Sequence, residues 1–165
     1  MKIDILKLPY TKVFEQEEDL TFDPKIYKCY LPLVSIELCH VNVKAQRFEE
    51  FIYVTLSVNA KVTLQCSYTL VNFKTTLKGE DELHFAPSND EDDDCIVFKG
   101  NSIELDKYIF DLISALVPPS PKAPGAKPPK SGDGYRVFSE DEYLKEKSEN
   151  KNSPFDSLKD IDFDE

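Results

Sequence analysis

IYVTLSVNAKVTLQC, residues Ile52 to Cys66, is the stretch on which the fold turns. Ile52, Val54, Leu56, Val58, Ala60, Val62, Leu64 and Cys66 are apolar, while Thr55, Ser57, Asn59, Lys61, Thr63 and Gln65 between them are polar. A period of two sustained over this length puts one set of side chains on a single face of one long strand, or of two strands joined by a bend. One face is then dry and the other wet, the pattern of an antiparallel sheet.

Working outward, Val34, Ile36 and Leu38 alternate before this stretch, and Val41, Val43 and Ala45 alternate again with the parity shifted by one. A bulge around Cys39 and His40 would restore the inward face. The polar residues Arg47 to Glu50 then close a hairpin onto the long strand. Downstream, Val71, Phe73, Thr75 and Leu77, followed by Leu83 and Phe85 across Gly79, give a third strand. The acidic run Asn89 to Asp94 repels itself and reads as a solvated loop. Cys95 to Phe98 reads as a short strand and Gly100-Asn101 as a turn.

From Ile103 the period becomes helical. Leu105, Tyr108, Ile109, Leu112, Ile113 and Leu116 form one apolar stripe that can cover the sheet, with Ser102 or Glu104 as cap and Pro118-Pro119 as terminator. Residues 118–134 hold six of the eleven prolines and three of the five glycines, a composition expected to give an extended, mobile linker. Beyond it, Ser139 and Glu142 have the spacing of a capping box. Ser153 and Pro154 mark a second helix start. Residues 135–165 carry ten acidic and five basic residues, so they form an acidic tail suited to folding on a partner. The expectation is an α+β core domain, residues 1–117, built as a twisted antiparallel sheet with one principal amphipathic helix packed on it. A Pro-rich linker, 118–134, and an acidic C-terminal tail, 135–165, follow.

Composition narrows the function. The chain has 165 residues, 20 basic against 31 acidic, and a formal net charge of -11. Such a surface repels nucleic acid at long range and favours basic proteins. The first residues lack the apolar run of a secretory signal, and the run Tyr108 to Val117 is too short to span a bilayer, so a cytoplasmic protein with no membrane contact is expected. Cys29, Cys39, Cys66 and Cys95 are widely and irregularly spaced, as reduced thiols are.

Reactive constellations are sparse. His40 and His84 are the only histidines, and Cys39 and His40, as neighbours in a strand, point to opposite faces. Cys66-Ser67-Tyr68-Thr69 supplies one thiol where a zinc pair needs two. The run at 90–94 lacks the glycine and distal glutamate of a calcium loop. No phosphate-cradling glycine motif occurs, which leaves nucleotide binding without support. No catalytic residue, cofactor site or metal site is assigned, and a non-catalytic protein is expected.

The segment Val62 to Leu70 resembles the hallmark of the YceD family, in which a long alternating strand leads into C-x-R-x-L. The order continues with the acidic insert, then Gly100, Ile103, Glu104 and Leu105 at the entry to the helix, then the proline after it. Ser153-Pro154-Phe155-Asp156-Ser157-Leu158 is similar to the family's closing motif. The resemblance implies support of the synthesis, processing or stability of large-subunit ribosomal RNA. The implied partners are a basic ribosomal protein or assembly factor, with ribosomal RNA touched directly or indirectly. Tyr68 stands where the hallmark has arginine, so a guanidinium contact is lost or transferred. The resemblance marks Cys66, Tyr68, Leu70, Pro154, Phe155 and Leu158 as interaction candidates. Cys66 and Leu70 either finish the strand and fill the core or meet a partner. The closing motif either folds back on the sheet or anchors a partner through Phe155. An RNA-binding module on the wet face near Lys61, Lys74 and Tyr68 is the alternative, as is an acidic chaperone for a basic ribosomal protein.

Overall fold

In the computed structural model, which describes residues 1–10, 12–87 and 95–149, the chain opens with strand β1 (Lys2–Asp4) and a 3-10 turn at Ile5–Lys7. Strands β2 (Phe14–Leu20), β3 (Leu33–Phe48), β4 (Phe51–Gln65), β5 (Asn72–Ala86), β6 (Ile96–Val97) and β7 (Ser102–Glu104) follow. Helices α1 (Asp106–Ala115) and α2 (Glu140–Glu149) come last. Residues 1–124 form one compact unit and 125–165 a second.

The sheet in the first unit has the order β2-β3-β4-β5-β6, antiparallel throughout except that β6 runs parallel to β5 at its short contact. β1 and β7 pair separately as an antiparallel ribbon. The mostly antiparallel α+β architecture is the one the alternation requires. The stretch from Ile52 to Gln65 lies in a single strand, with Cys66 just past its end, and Ile52, Val54, Leu56, Val58, Ala60, Val62 and Leu64 all lie in the core. Full burial of such a side chain is worth roughly 1.5–3 kcal/mol, more than an exposed ion pair. This one row therefore does more than any surface contact to hold the fold. Over it lie Ile109, Leu112 and Ile113 of α1, and Ile3 and Ile103 of the ribbon.

Several expectations need correction. The parity slip in β3 is absorbed earlier than Cys39 and His40, by irregularities between Leu33 and Ser35 and between Ile36 and Leu38. Cys39 then already shares the inward face with Val41 and Val43. The hairpin is tighter than Arg47 to Glu50, because Phe48 pairs with Phe51 and only Glu49 and Glu50 turn, Glu49 with φ 55°. The helix begins at Asp106, not at Ile103, because Ile103 pairs with Ile3 in the ribbon. No side chain at Leu105 caps it, and the Asp106 carboxylate receives the amine of Met1 instead.

β5 crosses Gly79 without interruption. The glycine has a packing reason: a Cβ there would sit 2.5 Å from Cδ2 of Leu116, which leans on the strand just past α1. In the second unit, α2 starts with the anticipated capping box. Ser139 N–H donates to Glu142 Oε2 at 2.8 Å, and Glu142 N–H donates to Ser139 Oγ at 3.3 Å. The Ser139 N–H, with the Ser139 hydroxyl, holds the Glu142 carboxyl below the usual carboxylate range. The acidic run 90–94 and the closing motif with Pro154, Phe155 and Leu158 lie outside the described residues.

Candidate interaction site

The hallmark segment leaves β4 and turns through Cys66 to Val71 before entering β5. Cys66 N–H donates to Val71 O at 3.0 Å, and Leu70 N–H donates to Cys66 O at 2.9 Å. Gln65 Nε2 donates to Leu70 O at 3.2 Å. The turn closes because Leu70 takes φ 58°, a left-handed conformation costly for a branched side chain.

That backbone reversal splits the two hallmark residues. Cys66 continues the inward row of β4 and is fully buried. Leu70 has the same parity, yet it turns outward with 69% of its surface exposed, and Val71 beside it is 63% exposed. Of the two readings of the pair, core filling holds for Cys66 and fails for Leu70.

Residues 118–124 cover the turn. Ser67 N–H and Ser67 Oγ both donate to Pro121 O, at 2.8 and 2.9 Å, and Pro121 is buried. Ala123 N–H donates to Cys66 Sγ at 3.4 Å. Lys122 places its ammonium over the Tyr68 ring, 5.2 Å from the centroid. The compact unit runs to Pro124, and within it the proline segment supplies hydrogen bonds to the turn.

This geometry sets the chemistry of Cys66. The Ala123 N–H, then the Thr69 hydroxyl and the Thr69 and Tyr68 amides, favour the thiolate and outweigh the opposing effect of burial, lowering the thiol to about 7. By contrast, burial pushes Cys39 up to about 11. Cys29, Cys39 and Cys66 form no disulfide, and among the described residues no group of three or more His, Cys, Asp and Glu side chains gathers to hold a metal ion. Cys39 and His40 do face opposite sides. Cys39 is in the core, while His40 Nδ1 meets Asp19 Oδ1 at 2.8 Å on the polar face.

The polar face of the sheet is divided by charge. β2, an element the sequence pattern does not announce, carries Glu15, Glu17 and Asp19 on this face and Glu18 on the other. Asn42 Nδ2 donates to Glu15 and Glu17 at 2.9 and 2.8 Å, and Lys44 lies 3.7 Å from Glu15. Toward the hallmark turn, Lys61 and Lys74 face Glu37. Lys74 Nζ lies 2.9 Å from its Oε1, and the Lys74 ammonium, followed by the Thr63 hydroxyl, holds the Glu37 carboxyl below its ordinary value. A groove of about 320 Å³ beside β3, lined by Phe22, Tyr27, Cys29 and Val34 among others, holds one thiol, which burial pushes upward. No helix among the described residues is long and apolar enough to cross a membrane.

Fold and site together define an α+β protein with a long polar sheet face, an acidic outer strand and an outward leucine at a strapped turn. Residues 54–162 match the family model described as large ribosomal RNA subunit accumulation protein YceD, and the chain belongs to that family. No curated protein and no solved structure matches the chain.

Proposed function

We propose that this protein is a cytoplasmic ribosome-biogenesis factor that supports large-subunit ribosomal RNA by contact with other macromolecules and without catalysis. A basic ribosomal protein or assembly factor is its partner. The observation that carries this reading is β2, whose Glu15, Glu17 and Asp19 line the polar face with Glu18 exposed on the other side of the strand, answered among the described residues only by Asn42, Lys44 and His40. A cationic partner gains Coulomb energy there and is steered by a molecule of net charge -11. Family membership supplies the ribosomal setting. Depletion should lower large-subunit relative to small-subunit ribosomal RNA, and complementation by a triple Glu15→Gln, Glu17→Gln, Glu18→Gln variant should fail. An unchanged RNA ratio on depletion discards the reading.

A second reading rests on the opposite corner of the same face. Lys61 and Lys74 lie on that face toward the hallmark turn and are the cations an RNA backbone would meet there. Much of their charge is already met by Glu37, which disfavours them as the principal site. Mobility of labelled ribosomal RNA at two salt concentrations separates the readings, since phosphate contacts weaken steeply with salt.

A further inference from the structure

The five-stranded sheet has two outer edges, and they are built differently. The charged residues of β2 are all carboxylates, so a second copy approaching that edge meets like charge, one of the ways natural sheets guard their edges. β5 is the contrast. Its outer neighbour β6 covers only Phe85 and Ala86, which leaves the rest of this long strand without a strand beside it among the described residues.

Backbone parity shows what that edge presents. Glu82 N–H turns to its neighbour Asp81 Oδ1 at 3.0 Å, and Ala86 O accepts from Phe98 N–H at 3.1 Å, so both residues direct their peptide groups away from β4. The register with β4 is unbroken from Asn72 to Phe85, so Lys74, Thr76, Lys78 and Glu80 point the same way. None of these four has a backbone partner on that side among the described residues. Their side chains are exposed on the polar face. Read along the strand, the charges come in the order Lys74, Lys78, Glu80, Glu82, with Gly79 where the sign changes. Such an edge is complementary to itself when reversed, whereas a parallel copy would set lysine against lysine.

We infer that β5 is a self-association edge: two copies pair antiparallel along it about a two-fold axis beside Gly79, joining their sheets into one. In this register Lys78 of each copy faces Glu80 of the other, Thr76 faces Glu82, and Lys74 faces His84. The outward peptide groups of these residues form the ladder. The two glycines meet as the closely spaced, non-hydrogen-bonded pair. Leu116, which already lies over Gly79 on the dry side, comes together there with its counterpart. The inference is independent of the partner assigned to β2.

The test is sedimentation equilibrium of the full chain at roughly 0.15 M salt and up to about 200 µM. The wild type should form a dimer. Lys78→Glu and Glu80→Lys should each weaken it by about tenfold, since each turns two facing opposite-charge pairs into like-charge pairs. The double variant K78E/E80K should return to within about threefold of wild type. Thr76→Pro removes an outward amide and no bond to β4, so it should give a monomer with unchanged circular dichroism. A wild type that stays monomeric over this range overturns the inference. So does a dimer that neither charge reversal nor the proline weakens.

Discussion

Leu70 and Cys66 share a parity in sequence and part company in space, and the reason is one dihedral angle. A left-handed leucine costs of order 1 kcal/mol that a glycine would not. Leu70→Gly should therefore leave stability unchanged or raise it by about 1 kcal/mol or less, measured by urea unfolding, while reducing capture of the cellular partner. If Leu70 served the fold, the same change would destabilise. Cys66 makes the opposite case, since everything around its sulfur comes from the chain itself. Its folded thiol is depressed from 9.0 to about 7, so the stabilisation it gives is present above 9.0 and is lost as pH falls through about 7. Thiolate absorbance should show a step near 7 that disappears in Cys66→Ser, while Cys39 ionises near 11. Parity alone could not separate these two residues. It assigns faces only while the backbone remains extended, and nothing in the letters around Leu70 announces a positive φ.

At the level of elements, β4 was legible because half burial imposes a period of two on every residue. The third strand and the amphipathic stripe were legible for similar reasons. β2 was not: Phe14 to Leu20 lies at a sheet edge and packs only through Phe14 and Leu20, so its sequence keeps almost no apolar alternation. β1 and β7 escape because each is three residues long and finds its partner about a hundred positions away. The early start expected for α1 fails for the same cause, Ile103 being claimed by Ile3. Ile109 anchors α1 to the sheet and is fully buried, so Ile109→Ala should cost about 2–5 kcal/mol in denaturant unfolding. Gly79→Val should cost about 1–3 kcal/mol, because Leu116 must leave its seat on the strand. Combining it with Leu116→Ala should recover part of that loss, which a strain confined to the strand backbone would not allow. In the second unit, Ser139→Ala should reduce the helicity of α2, at a cost of about 1 kcal/mol.

For the whole molecule, charge placement matters more than net charge. An overall surplus of carboxylates was plain in the composition, but its division was not. The acidic outer strand, the lysines held by Glu37 and the two-signed edge of β5 arise only when residues distant in sequence are set side by side. Association with a cationic partner through β2 should therefore fall as salt rises, with a slope that the triple glutamine variant flattens, measured by titration calorimetry. Dimer formation along β5 should respond to Lys78 and Glu80 and be indifferent to the β2 substitutions. The candidate turn was found from its hallmark letters. Its strap was not, because a proline-rich composition says that a segment cannot build a core and is silent on whether it can lie across one.

The covering of Cys66 by Pro121 and Ala123 has a consequence for how this protein can be shortened. A chain cut back to Val117 leaves the sulfur open to iodoacetamide, whereas one ending at Pro124 keeps it shut away. The boundary between those two lengths is where a thiol-labelling experiment would locate the end of the first unit.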